Sequence, residues 1–296
     1  QAFKIYCRFA TTPQACPQLL WSGDVVPEIQ SLATGSPFQP FNRSPQLRVD
    51  WKPSNLRLYV AGLYQLQYTS WGPNGGSTEY QTNSKVPEVY FGLDWKYKGW
   101  IVGAGADFLR IRPRVKVEQY AKTDSAYTHS VDEALNSFSL CAFMQFTTPD
   151  KKFSVKAKTI YGENLSHLLL LSGYGVSNVL PDGSYEYTNI KNSTSWLNLV
   201  YGDKWQVGFF AGYMKNLGSD EKLYSPNTTY IFGYNNLDYV YRLSPMVCYN
   251  IKRWSLGVEY EMTAAGYGTL NLETGRVENT HQVNNHRVVG VMMFHF

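Results

Sequence analysis

Acidic and basic side chains recur in step along this chain, separated by even numbers of residues: Arg48, Asp50 and Lys52; Glu88, Asp94 and Lys96; Lys156 and Lys158; Glu259 and Glu261. Apolar or aromatic residues stand between them, as Leu47, Val49 and Trp51 do beside the first group. Successive side chains of an extended strand point to opposite faces, so each charged group shares one face. Arg57, Asp107, Arg242 and Arg287 fall on the corresponding face of their own stretches. A wall of mixed charge against water sets up a transverse field that admits polar solutes and rejects apolar ones. Lys156 and Lys158, with the arginines around 42–48, would add up to an anion-attracting wall. The competing reading of any single member is a solvated side chain or an internal ion pair.

Covalent chemistry has less to stand on. Ser130 follows His129 and Ser166 precedes His167, yet neighbours in a strand face opposite ways. These pairs fall in expected loops, which leaves an outer-membrane hydrolase as a minor alternative, but no third group to orient either imidazole is evident. The sequence carries no GxSxG, HExxH, P-loop or GxGxxG constellation. Cys7, Cys16, Cys141 and Cys248 show no CxxC or Cys/His spacing. No catalytic residue, metal or cofactor is therefore expected. Cys141 and Cys248 read as small buried strand residues, and a Cys7–Cys16 disulfide stays open in an oxidising compartment. A net charge of +4 without a Lys/Arg block argues against nucleic acid as a partner.

The elements that must position the charged face are strands. Trp254, Leu256, Val258, Tyr260 and Met262 alternate with Ser255, Gly257, Glu259, Glu261 and Thr263, one set suited to lipid and the other to water. The same alternation predicts twelve strands near 3–9, 46–52, 56–70, 87–97, 100–111, 136–148, 152–163, 194–201, 205–214, 237–249, 254–265 and 286–296. Five tight turns join them in pairs: Pro53-Ser54-Asn55, Tyr97-Lys98-Gly99, Pro149-Asp150-Lys151, Gly202-Asp203-Lys204 and Asn250 to Arg253. Beside these turns lie Trp51, Trp95 with Trp100, Phe146 with Phe153, Tyr201 with Trp205, and Tyr249 with Trp254. Rings gathered at one rim suit one membrane interface. Longer connections near 71–86, 112–135, 164–193, 215–236 and 266–285 fall at the other. Mean hydropathy is only -0.32 despite 16% aromatics, and no run approaches the roughly 18 apolar residues of a spanning helix. The expected fold is all-β: a single antiparallel up-and-down transmembrane barrel over 1–296, in contact with outer-membrane lipid, with both termini periplasmic. A soluble β-sandwich is disfavoured, because Arg48, Asp50 and Lys52 would have to fill its core.

Three further stretches carry expectations. The start lacks a signal-peptide pattern, so the chain is expected in mature form. The end, Arg287 to Phe296, closes on aromatics within a strand pattern, and Phe294 and Phe296 are read as a signal presented to the barrel assembly machinery. Ser36 to Gln46 contains Pro37, Pro40 and Pro45, which a central strand would not tolerate. We expect it to fold into the lumen as a constriction presenting Asn42 and Arg43 to solute, the alternative being an external loop on the rim. Gly103 and Gly105 are read as making room for such an inward loop. The Leu168 to Leu171 run is expected to be buried against another loop or a neighbouring subunit.

Several motifs go beyond a generic barrel: Gly23-Asp24-Val25-Val26-Pro27, Thr34 to Gln46, Tyr64 to Ser70, Gly202 to Gly208 and Asn285 to Val291. On these the chain resembles the DcaP-like outer-membrane porins of Bacteroidetes-type bacteria from about Gly23 to Phe296. The resemblance implies a trimeric, water-filled passive channel for small polar or anionic solutes such as dicarboxylates. It also implies an internal shortening, since relatives carry further strands between Phe3-Lys4-Ile5-Tyr6 and Gly23. Either a smaller barrel closes by pairing 3–9 with 288–296, or the product is incomplete. A non-conducting barrel serving as a structural or partner-binding subunit is the other alternative.

Overall fold

In the computed structural model, residues 2–8, 25–30, 35–120, 126–233 and 235–295 are described. Twelve strands follow one another in chain order along one antiparallel sheet, each hydrogen-bonded to the next. They are β1 (Ala2–Arg8), β2 (Gln46–Lys52), β3 (Leu56–Leu63), β4 (Glu88–Tyr97), β5 (Trp100–Ile111) and β6 (Leu135–Thr147). There follow β7 (Phe153–Glu163), β8 (Tyr185–Gly202), β9 (Trp205–Ser219), β10 (Leu237–Ile251), β11 (Trp254–Leu270) and β12 (Val277–Phe294). All five tight turns lie at one rim, and Ala2 opposite Lys52 and Phe294 opposite Trp254 bring both ends of the path to that rim. Among the described residues β1 and β12 do not pair, so the sheet has two edges.

Local chemistry explains the sharpest turn. Lys98 (φ +45°) and Gly99 (φ +85°) both take left-handed backbone between β4 and β5, the two-residue hairpin geometry that matches strand twist. A Cβ on Gly99 would stand 2.2 Å from the Thr147 carbonyl oxygen, so the turn needs glycine on two counts.

The outer face is apolar. Leu47, Val60, Phe91, Leu140, Val207 and Val258 are exposed there. Trp95 with Tyr97, Trp100 with Phe146 (ring centroids 4.5 Å), Trp205 with Tyr249 (4.6 Å) and Trp254 with Phe294 (4.8 Å) form a girdle beside the short turns. Phe138, Tyr161, Tyr213 and Tyr260 lie exposed further up the strands. Trp205 to Tyr213 covers roughly 26 Å of strand at about 3.3 Å per residue, enough for a tilted strand to cross the apolar band between two girdles.

The opposite, inner face is buried, and aromatic rings lie flat over glycines of neighbouring strands. Tyr59 covers Gly92, Tyr90 covers Gly105 and Phe143 covers Gly103; the Tyr59 and Tyr90 rings stack at 5.8 Å. The room beside Gly103 and Gly105 is thus taken by wall side chains, not by the inward loop expected there.

Strand lengths depart from expectation at the long-loop end. β8, β9, β11 and β12 run well past the apolar band, so the β11–β12 connection shrinks from 266–285 to 271–276. β3 ends at Leu63, not near 70, because Gln65 turns aside: Gln81 Oε1 accepts its N–H at 2.7 Å and Ser70 N donates to its Oε1 at 2.7 Å. Gln81 belongs to a short helix, Glu79–Ser84.

Candidate functional site

Each charged strand residue picked out from the sequence lies on the inner side of the alternation, but few of the cations stand alone. Arg48 donates to Asp50 at 2.5 Å and lies 4.1 Å from the Tyr59 ring centroid, both residues buried. Mutual pairing and a ring cover let Arg48 and Asp50 share the buried face, while Lys52, the third charge of that strand, stays exposed. Arg57 Nε donates to Asp94 Oδ2 at 2.6 Å, directly across β3 and β4. Arg287 Nε donates to Glu261 Oε2 at 2.5 Å. Arg242 donates to Thr263 Oγ1 (2.9 Å) and the Ser36 carbonyl (3.0 Å), and stands 5.6 Å over Phe38. Lys156 pairs with Glu28 at 2.5 Å, and buried Lys158 donates to Gln39 Oε1 at 3.0 Å. Glu259 accepts the Gln30 N–H at 2.5 Å. The wall is consequently a lattice of internal pairs more than a ladder of free charge. Lys52 and Lys96 are exposed. Glu88 and Asp107 are buried without a lysine or arginine partner among the described residues.

Two segments lie against this face. In the first, 35–45, Phe38 is fully buried at 6.1 Å from Phe210 and over Gly212. Gln39 also accepts from Trp196 Nε1 at 3.0 Å, Asn42 Nδ2 donates to the His167 carbonyl at 2.9 Å, and Arg43 lies 5.3 Å from the Phe41 ring. The second is 164–172, the connection after β7. Its Leu165, Leu168, Leu170 and Leu171 are all buried in the apolar cluster that contains Phe38, Trp196, Phe210 and Met214. The leucine run is thus covered inside this chain. A short strand, Gly173–Val179, then returns along β8.

A cavity of about 640 Å³ opens at the short-turn rim, lined on the inner side by Lys96, Ile101, Gln145, Ser154, Val200 and Gln206. Lys98, Lys151 and Lys152 from the turns and Glu28 complete it. A smaller neighbouring cavity carries Lys52, Arg57, Lys96 and Asp94. Of these, the sequence picked out Lys52, Lys96 and Arg57 as inner-face residues, and it did not pick out Lys98, Lys151 and Lys152. Their signal was present as lysines in two of the tight turns, which bring residues far apart in sequence to one mouth.

Of the candidate hydrolytic pairs, Ser166 and His167 turn to different partners. Ser166 Oγ engages Asn164 Oδ1 and the Trp71 N–H, each at 3.4 Å, whereas His167 Nε2 lies 3.2 Å from Glu88 Oε1. His129 Nε2 is 3.8 Å from Asp182. Cys141 and Cys248 are buried free thiols. Phe294 packs on Trp254, while Phe296 and the pairing of Cys7 with Cys16 lie outside the described residues and side chains.

No family model matches the sequence, and no curated protein matches it. Among solved structures, the chain is similar to the outer membrane channel DcaP of Acinetobacter baumannii, at 14% identity over 94% of this chain and 68% of that one, with a TM-score of 0.64. The outer-membrane expressed OmpT of Vibrio cholerae aligns more loosely, at 10% identity over 84% of this chain and 64% of that one, TM-score 0.45. The chain spans about two thirds of the length of these structures. An apolar, girdled outer face, an up-and-down antiparallel order and the likeness to DcaP agree on one conclusion: the fold is that of an outer-membrane porin.

Proposed function

We propose that the chain is a passive outer-membrane channel for small polar solutes, preferring anions of the dicarboxylate type, and that it is a DcaP-like porin of Bacteroidetes-type bacteria. The observation that carries this reading is a charged inner face beneath an apolar outer face, ending in the lysine-lined mouth at the short-turn rim. Arg48, Arg57, Lys156 and Arg287 are paired internally, and anion preference is assigned to the lysines at the mouth, Lys52, Lys98, Lys151 and Lys152. Clustered like charge at a low-dielectric mouth focuses potential and concentrates counter-ions. Segment 35–45 and turn 164–172 are the constriction in this reading, with Asn42 and Arg43 toward the solute path. Assembly as a homotrimer, periplasmic termini, and recognition of the Phe294–Phe296 end by the barrel assembly machinery belong to the same proposal.

The test is ion current through the refolded chain in a planar bilayer under a salt gradient. Ohmic steps with an anion-signed reversal potential are expected. Replacing Lys98, Lys151 and Lys152 together by Glu should move the reversal potential toward cations, and deleting 36–44 should raise conductance. A second reading, a plugged structural barrel, is favoured by the buried apolar cluster of Phe38, Leu168, Leu171, Phe210 and Met214 on the inner face. It would show itself as a folded, heat-modifiable barrel that passes no current.

A further inference from the structure

Buried carboxylates on the inner face follow a rule that two neighbours, Glu88 and Asp107, break. Asp50 has Arg48, Asp94 has Arg57, Glu261 has Arg287, and Glu259 has the Gln30 N–H. Glu88 and Asp107 have none of these. They sit diagonally on β4 and β5, where Tyr90 is opposite Asp107, and each is at least nine-tenths buried. His167, fully buried, comes down from the 166–168 turn to meet them. One donor atom from each of the three lies within 4.8 Å of the other two. Glu88 Oε2, Asp107 Oδ1 and His167 Nδ1 have no hydrogen-bond partner. Two carboxylates without a cation in a low-dielectric site are costly to keep ionised together.

We propose that Glu88, Asp107 and His167 bind one divalent transition-metal ion, of the zinc or manganese class, which fastens the 164–172 turn to the wall. The charge balances: two carboxylates neutralise a divalent ion, and neutral imidazole supplies a lone pair. A mixed imidazole and carboxylate set suits zinc or manganese better than calcium or magnesium, which favour oxygen alone. Zinc ligands stand about 2.0–2.2 Å from the ion, hence about 3.4 Å from one another, so donors within 4.8 Å of each other close on the ion by side-chain rotation. Three protein ligands leave a position for water or a solute carboxylate. The site does not depend on whether the barrel conducts.

Untagged full-length chain, refolded and stripped with chelator, would be titrated with zinc chloride and with manganese chloride by calorimetry, bound metal being counted by mass spectrometry. One equivalent is expected for the wild type. Glu88→Gln, Asp107→Asn and His167→Ala should each weaken binding by about 100-fold or more, while Asp132→Asn, an exposed carboxylate elsewhere, should not. Heat-modifiable migration in gels identifies variants that have folded. Zinc should also raise the thermal unfolding midpoint of the wild type but not of Asp107→Asn. Substoichiometric binding of both metals, or binding unchanged in a folded Asp107→Asn/His167→Ala double variant, overturns the proposal. A metal-free chain made more stable by Asp107→Asn would point instead to a proton shared between the carboxyl groups.

Discussion

The Arg57–Asp94 pair shows what a single residue costs and gives on this inner face. Asp94 is fully buried and Arg57 is nearly so, and the guanidinium also lies 5.1 Å from the Tyr59 ring centroid. Taking both charges out of water is expensive, so the intact pair contributes little net stability, whereas removing one partner strands the other. Arg57→Ala should lower unfolding stability by about 3–5 kcal/mol, read by urea unfolding in lipid vesicles. Arg57→Met combined with Asp94→Leu should recover most of that loss. Equal damage from the single and double variants would mean that the pair is not the source of the effect. The same logic separates legible from illegible residues. Arg57 and Asp94 were assignable to one face from parity alone, but their partnership depends on the register that sets Arg57 opposite Asp94.

At the scale of elements, legibility followed the chemical contrast between the two faces. β4 was legible because Val89, Phe91, Leu93 and Trp95 alternate with Glu88, Tyr90, Gly92 and Asp94. The upper half of β8 was not, because Tyr185 to Ser193, Ile190 apart, is polar or aromatic on both sides once it leaves the apolar band. The helix Glu79–Ser84 is too short to display a 3.6-residue period. The candidate metal cluster was half visible: Glu88 and Asp107 carried the right parity, but His167 reaches them through a loop whose path no local pattern encodes. Turns were visible through their residue types, and the β6–β7 turn shows the physics. Asp150 Oδ1 accepts from Thr148 Oγ1 at 2.6 Å and from the Lys152 N–H at 3.1 Å, while Lys151 takes φ +58°. The Thr148 hydroxyl, then the Lys152 amide, holds the Asp150 carboxyl below its ordinary range. A depressed folded value means that this stabilisation is present above the unfolded carboxylate range and is lost as pH falls through the folded value. Protection of the Lys152 amide from hydrogen exchange, corrected for intrinsic rate, should therefore hold near neutrality and fall only once the pH is below the ordinary carboxylate range. Asp150→Asn should remove that acid dependence; an identical profile in the variant would assign it elsewhere.

The whole molecule poses the problem of its two edges. Within a bilayer every backbone N–H and C=O must be bonded, each orphan costing several kcal/mol, so an open sheet edge does not survive at the level of the acyl chains. β1 offers seven residues and β12 eighteen, which looks mismatched until β12 is divided by chemistry. Its upper part, Glu278 to Asn285, carries Asn279, Thr280, His281, Gln282 and Asn284 and tolerates water, whereas Val288 to Phe294 is apolar and belongs at lipid level. The part of β12 that needs a partner is about as long as β1, and both lie at the short-turn rim. Closure of a twelve-strand barrel through β1 and the lower half of β12 is therefore the expected arrangement in the membrane. With the four native cysteines replaced by serine, a cysteine at Ile5 should be oxidised to one of a set placed at Gly290, Met292 and Phe294. The cross-link should be intramolecular, visible as a shift in heat-modifiable migration of the monomer. Cross-links confined to dimers would mean that the edges pair between copies. Their absence in a folded, membrane-inserted chain would mean that other strands stand between β1 and β12.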